Sequence, residues 1–148
     1  IPDDRAAEEQ MTKGREYLDS MRELSAELEA IRQQISYLYN VSTDAGYDRP
    51  AAGADQADEN AARIENLIAD RERVLSQWLD VYEIVTEVLD LLPERKQRIV
   101  LSLRYLLRYS WDAVSEETGY QIRHLLRIHN KAIAQFDEIL SRNDCQMK

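Results

Sequence analysis

Hydrophobic residues recur with alternating spacings of four and three over the first third of the chain. The row consists of Tyr17, Met21, Leu24, Leu28, Ile31, Ile35 and Leu38. Three consecutive heptads of this kind are typical of an amphipathic helix that packs along one seam. The pattern predicts a long helix from about Asp4 to Tyr39.

A second long helix is predicted from about Asp58 to Leu92, where the same rhythm returns. Its first apolar row holds Ile64, Ile68, Leu75, Trp78, Tyr82, Val85, Leu89 and Leu92, and a second row one position back holds Leu67, Val74, Val81 and Val88. At Arg71 the first row lacks an apolar residue. Either the aliphatic part of this side chain extends to the edge of the helix–helix seam, or water enters the seam at this point.

The simplest arrangement of these two segments is an antiparallel helical hairpin with a mobile connection over 40–58. The apolar face of the second helix is wider than one partner helix can cover. The surplus face would bury either against the C-terminal part of the chain or against a second copy. The pattern leaves a homodimer through the N-terminal helices open.

Three further helices are predicted from residue 93 onward. Leu92-Pro93-Glu94 indicates a helix start, since proline is tolerated in a first turn, and that helix runs to about Leu107. Ser110 can cap the next helix, which starts near Trp111 with Asp112 in its first turn. Gly119 then marks a sharp turn with positive φ.

The segment 110–133 therefore predicts a helix-turn-helix. Leu125 and Ile128 follow the turn at helical spacing and can close a core with Val114 and Tyr120. The second helix of the motif is expected over about 121–137, before a polar tail from Ser141. Its outward side is predicted to carry Gln121, Ile122, Arg123, Leu126, Arg127, Asn130 and Lys131.

Charge is distributed unevenly along the chain. The net charge is −9 overall, with 9 basic against 21 acidic residues in 1–92, a net −12, and 10 against 7 in 93–148, a net +3. No acidic residue occurs between Thr118 and Phe136, where Arg123, Arg127 and Lys131 form one basic stripe. This contrast favours two domains: an acidic hairpin, 1–92, for interaction or oligomerisation, and a DNA-binding domain, 93–148.

Catalysis and cofactor binding find no support in the sequence. There is no glycine-rich phosphate loop, nucleophile elbow or Cys/His cluster, and Cys145 stands alone. His124 and His129 are five residues apart, so they cannot share a metal ion locally, and His129 is expected to contact phosphate or solvent. Without a long apolar stretch or leader, we expect a cytoplasmic protein with no membrane contact.

Several short motifs carry a resemblance to region 4 of bacterial sigma-70-type factors. They are Leu92-Pro93, Leu103-Arg104-Tyr105, Ser110-Trp111-Asp112 and the run from Arg123 to His129. The chain also resembles phage and prophage late-gene transcription regulators of Firmicutes, of the RinA/ArpU type, which join a helical hairpin to such a domain. Nothing resembles sigma region 2, so a complete sigma factor is not expected.

The resemblance implies a sequence-specific DNA-binding transcription regulator. Under it, Arg123, Arg127 and Lys131 would contact phosphate or guanine, Gln121 and Asn130 base edges, and Ile122 and Leu126 thymine methyl groups. Burial of Ile122 and Leu126 against the hairpin is the alternative. Ser115 and Gln121 depart from the alanine and the serine or threonine that are usual in the family.

Two other functions fit the same elements. A phage small terminase subunit also joins DNA-binding helices to a helical oligomerisation segment, and it would form a ring of many subunits. Alternatively, the sigma-like domain would bind bacterial RNA polymerase as a co-activator or inhibitor, and the basic stripe would then be dispensable for that contact.

Overall fold

A computed structural model describes the backbone of residues 12–45 and 52–146, and the described residues are helical with no β-strand. The all-α prediction is confirmed. The helices are α1 (Thr12–Ala45), α2 (Ala52–Leu91), α3 (Arg95–Leu101), α4 (Trp111–Thr118) and α5 (Ile122–Gln146), and a π-helical turn, Ser102–Leu106, continues α3.

The chain divides into two compact units whose bounds differ from the predicted division at residue 92. One unit joins the chain up to Arg22 with the chain from Asp80 onward, and the other is Glu23–Leu79. The ends of both hairpin helices thus belong with the C-terminal helices. Heptad spacing alone cannot reveal this, because the pattern continues through both boundaries.

The Glu23–Leu79 unit is an antiparallel pair of helices. Near one end, the Trp78 indole Nε1–H donates a 2.8 Å hydrogen bond to Ser25 Oγ. Farther along, Leu38 of α1 shares a cavity with Arg63 and Leu67 of α2. This order along the two helices confirms the predicted hairpin for these residues.

The seam of α2 combines the two predicted apolar rows. Val74, from the second row, is fully buried, whereas Leu75, from the first row, is 40% exposed, and Leu79 is 51% exposed. Arg71 is also exposed. The positions 67, 71, 74, 78 and 81 have the alternating steps of four and three that a heptad seam needs, and Arg71 occupies one of them with an exposed side chain.

The predicted connection over 40–58 is largely helical where the structure describes it. α1 continues to Ala45, and α2 begins at Ala52, with Asp55 in its first turn. Alanines at 52, 54 and 57 have the strongest helix propensity, which extends the helix into the region expected to be a loop. The predicted start of the first helix near Asp4 lies outside the described residues.

In the other unit, α1 approaches α5 closely. The backbone N–H of Gly14 donates a 2.7 Å hydrogen bond to Asp137 Oδ1. A Cβ built on Gly14 would lie 3.0 Å from the Asp137 Cα, so only glycine allows this approach without displacement. Leu18 and Met21 on the following turns are fully buried in this unit.

The helix that the sequence predicts up to about Leu107 is α-helical only as far as Leu101 and continues as a π-helical turn. α3 begins at Arg95, two residues after Pro93, and ends at Leu101, after which the Leu107 N–H bonds to the Ser102 carbonyl in a π turn. Arg108 then adopts φ 59°, an uncommon left-handed conformation for a residue with a side chain. The wider turn and this reversal bring the chain to the start of α4.

Candidate nucleic-acid interface

The turn between α4 and α5 has the geometry that the sequence predicts. Ser110 caps α4 by accepting a 3.2 Å hydrogen bond from the Ala113 N–H. At the other end Gly119 has φ 80°, and its N–H donates to the Ser115 carbonyl. Glycine occupies this left-handed position at no steric cost, which explains why the helix ends there.

Two hydroxyl groups brace this turn. Ser115 Oγ donates a 2.6 Å hydrogen bond to the Tyr120 carbonyl, and Thr118 Oγ1 donates to the Val114 carbonyl at 2.7 Å. Ser115 thus has a definite role in this chain, although the resembling family usually has alanine there. The hydroxyl ties α4 to the first residue after the glycine.

A small apolar core holds the three helices together. Val100 from α3, Val114 from α4, and Leu125 and Ile128 from α5 are buried, and Tyr120 packs against them. The predicted closure of the core by Val114, Tyr120, Leu125 and Ile128 is therefore observed. Burial of this face orients the opposite side of α5 toward solvent.

The seven residues singled out from the sequence share one property, which is that all of them are exposed. They are Gln121, Ile122, Arg123, Leu126, Arg127, Asn130 and Lys131. Gln121 directly precedes α5, and its carbonyl accepts the Leu125 N–H. Ile122 and Leu126 are 38% and 41% exposed, so they are not buried against the hairpin.

The three cations of this face carry no neutralising partner among the described residues. The ion pairs among all described residues join Arg15 to Asp19, Arg32 to Glu29, Arg73 to Asp70, and Arg142 to Glu138. None involves Arg123, Arg127 or Lys131. Unpaired cations one helical turn apart are suited to binding an extended polyanion, because no internal ion pair has to break first.

His129, expected to meet phosphate or solvent, is instead 5% exposed, and that prediction is wrong. Its Nε2 lies 2.6 Å from the Tyr105 hydroxyl, and its ring packs edge-on against Trp111 at 5.0 Å. Burial, with a smaller contribution from Arg15, lowers the pKa of His129 from 6.5 to about 4. The histidine is therefore a neutral structural residue at pH 7.

Arg104 completes this cluster. Its guanidinium lies 4.6 Å from the centroid of the Trp111 ring and donates a 3.0 Å hydrogen bond to the Tyr109 carbonyl. Burial lowers the pKa of Arg104, as it raises the pKa of Tyr105. The motif Leu103-Arg104-Tyr105 thus fixes the linker that leads into α4 rather than facing the outer side of α5.

Sequence reasoning missed residues of α3 that lie beside the basic stripe. Lys96 places its Nζ 5.5 Å from the centroid of the Tyr120 ring, and Tyr120 in turn packs edge-on against His124. Lys96 and Gln97 share a cavity with Arg127 and Lys131. Lys96 and Arg127 are separated by 30 residues, so no local sequence pattern indicates that they lie close together.

Other kinds of site are not evident in the described part of the chain. No group of three or more His, Cys, Asp or Glu side chains is placed there to hold a metal ion. None of the described helices has the length and apolar character to span a membrane. The Cys145 side chain lies outside the described residues. No family model, curated protein or solved structure matches this chain.

Proposed function

We propose that this protein is a sequence-specific DNA-binding transcription regulator that places α5 in the major groove. The observation that carries the proposal is the outer face of α5, where three cations with no ion-pair partner among the described residues lie between exposed polar and apolar side chains. The resemblance to sigma region 4 and to phage late-gene regulators supports the same function. Such a regulator acts in the cytoplasm of a bacterial host.

The residue types on this face suit both parts of DNA recognition. Arg123, Arg127 and Lys131 neutralise phosphates or pair with guanine, and each phosphate contact contributes to affinity without reading sequence. Gln121 and Asn130 supply amides that can bond the edge of adenine. Ile122 and Leu126, which are exposed and apolar, can contact thymine methyl groups.

The surplus apolar surface of α2 supports a homodimer within this proposal. Leu75 and Leu79 are one turn apart and both exposed. Burial of such a stripe against a second copy removes apolar area from water. A dimeric regulator would bind two half-sites about one DNA turn, or 10 base pairs, apart.

The test is a mobility shift with duplex DNA flanking the protein's own gene, run at two salt concentrations with a light-scattering mass. Arg127→Ala should weaken specific binding by about 1–3 kcal/mol if Arg127 reads a base, or lower the salt slope by about one if it contacts phosphate. Arg73→Ala, which removes an exposed arginine of α2, is the matched control.

Three outcomes would overturn the proposal. Equal effects of Arg127→Ala and Arg73→Ala would remove α5 from the interface. A large ring would favour a packaging protein. Absence of any shift, with binding to purified RNA polymerase instead, would assign the domain to a protein partner.

A further inference from the structure

A cavity of about 310 Å³ lies between the start of α3 and the outer side of α5. Its lining residues are Glu94, Lys96, Gln97, His124, Arg127, Ile128 and Lys131. Since water occupies about 30 Å³ per molecule in the liquid, a phosphate group with several waters fits in this space. The cavity joins two cations of the α5 stripe to one cation from outside the helix-turn-helix.

The lining is strongly cationic. Lys96, Arg127 and Lys131 contribute three positive charges against the single carboxylate of Glu94. None of the ion pairs among the described residues involves these four side chains. Three cations around one cavity repel one another, and an anion bound between them relieves that repulsion.

Gln97 is a buried polar side chain in the lining of the same cavity. The residue is 4% exposed, and its Oε1 is buried without a hydrogen-bond partner among the residues that the structure describes. A buried amide left unpaired destabilises the fold, so such groups in native proteins usually have a partner. Oε1 is an acceptor and does not bond a phosphate oxygen itself. Because the amide oxygen and nitrogen occupy nearly the same volume, a half-turn of the amide places the Nε2–H donors at the unpartnered position, and a phosphate oxygen can accept from them.

Because α4 carries exposed carboxylates, a phosphate contact made by α3 would contribute more to DNA binding. In a helix-turn-helix the first helix of the motif crosses the DNA backbone. Here that helix exposes Asp112, Glu116 and Glu117 and carries no lysine or arginine. α4 therefore adds no cation beside the stripe on α5, whereas Lys96 of α3 lines one cavity together with Arg127 and Lys131.

We propose that this cavity binds one phosphate of the DNA backbone, with Lys96 and Gln97 of α3 contacting it together with Arg127 and Lys131. The inference rests on the proposed function and deepens it. It assigns to α3 a part in DNA binding and predicts that this contact is independent of base sequence.

The first experiment measures the salt dependence of affinity for the operator duplex and for an unrelated duplex of the same length. Lys96→Ala should weaken both equally and lower the salt slope by about one. Arg95→Ala is the matched control, because Arg95 is an exposed neighbour of equal charge that does not line this cavity. Glu94→Gln should strengthen binding to both duplexes.

A second variant separates binding from folding. Gln97→Leu removes the unpartnered amide and keeps a buried side chain of similar size, so the Tm should stay equal or rise. DNA affinity should nevertheless fall about tenfold, since a charge-assisted hydrogen bond is lost. A purely structural glutamine would not combine an unchanged or higher Tm with weaker DNA binding.

The outcomes distinguish the two proposals. If wild type binds the duplex and Arg127→Ala weakens binding, while Lys96→Ala behaves like Arg95→Ala, the α3 contact is overturned and the regulator stands. An unchanged affinity of Gln97→Leu overturns the role of Gln97. If wild type binds no duplex at any salt concentration, both proposals fall.

Discussion

At the scale of single residues, the aromatic cluster of Tyr105, Trp111 and His129 makes the stability of this unit depend on pH. His129 lies between Tyr105 and Trp111, with the positive charges of Arg15 and Arg104 opposing its protonation and a hydrogen bond with Asn130 favouring it. Burial makes the largest contribution. The position therefore tolerates a neutral imidazole and disfavours an imidazolium.

Stability should consequently fall as the solution is acidified. The unfolded chain binds a proton at His129 near pH 6.5, whereas the folded chain binds it only near pH 4. Between these values the unfolded state holds more protons, so the free energy of unfolding decreases by up to about 3 kcal/mol as pH falls. Urea unfolding at pH 7, 5.5 and 4.5 measures this decrease.

The matched variants for this measurement are His129→Gln and His124→Gln. Glutamine at position 129 does not titrate, so the free energy of unfolding of His129→Gln should depend less on pH over this range than that of the wild type. Replacement of the exposed His124 should leave the wild-type dependence intact. Parallel pH profiles for all three proteins would contradict the assigned role of His129.

Gly119 makes a second prediction at this scale. No heavy atom lies within 4 Å of a Cβ built there, so the cost of a side chain comes from φ 80° alone. Gly119→Ala should destabilise the domain by about 1–2 kcal/mol, Gly119→Val by more, and Gly119→Asn by less, because asparagine tolerates the left-handed region. Denaturant midpoints give the order, and unchanged midpoints would contradict the turn geometry.

At the scale of elements, the contact between α1 and α5 is an N-terminal cap supplied from another helix. Gly14 is the third residue of α1, and the N–H groups of a first turn have no partner within their own helix. Asp137 provides both an acceptor and a negative charge at the positive end of the helix dipole. One side chain of α5 thus fixes where α1 begins to pack.

Removal of this cap should destabilise the unit that contains it. Asp137→Ala should lower the free energy of unfolding by about 1 kcal/mol, the usual cost of losing a capping side chain. The neighbouring Glu138 forms only an exposed ion pair with Arg142, so Glu138→Ala should change stability by less. Equal losses in the two variants would argue against the cap.

Local patterns predict the elements well and the contacts between them poorly. The Ser110 cap, the Gly119 turn and the core from Val114 to Ile128 follow from neighbouring residues, and so they were predictable. His129 carried a usable signal as well, since Leu125, His129, Ala132 and Phe136 share one helical face and are all buried. Position on that face outweighed the polar character of the residue.

The remaining misses depend on residues far apart in the chain. Nothing near Lys96 indicates that it lies beside α5, and nothing near Gly14 indicates Asp137. α1 and α2 also extend farther than predicted, for a different reason. Helix propensity and the cooperativity of helix formation continue both helices beyond the apolar pattern. Of the proposed interface, the face of α5 was therefore predictable, and the contribution of α3 was not.

At the scale of the whole molecule, the compact unit that carries the helix-turn-helix is discontinuous in sequence. It includes the chain up to Arg22 and the last turns of α2, where Val85, Val88 and Leu89 are buried. A small domain has little apolar surface to lose before it becomes unstable. The C-terminal helices therefore depend on residues contributed by both hairpin helices.

This dependence makes the isolated segment 93–148 a poor folding unit. We expect the fragment to show low helicity and no cooperative thermal transition by circular dichroism, because it lacks the buried Leu18, Met21, Val85, Val88 and Leu89. The full chain should melt cooperatively under the same conditions. A fragment that melts at the temperature of the full chain would contradict the observed division.

The Glu23–Leu79 unit is, in topological terms, an insertion. The chain leaves the other unit after Arg22 and returns to it at Asp80, and the two crossing points lie close together, since Ser25 and Trp78 are hydrogen bonded. Deleting one heptad from each helix preserves the seam register, because the pattern repeats every seven residues. The hairpin can therefore be shortened or lengthened by whole heptads while the unit that carries the helix-turn-helix keeps its structure.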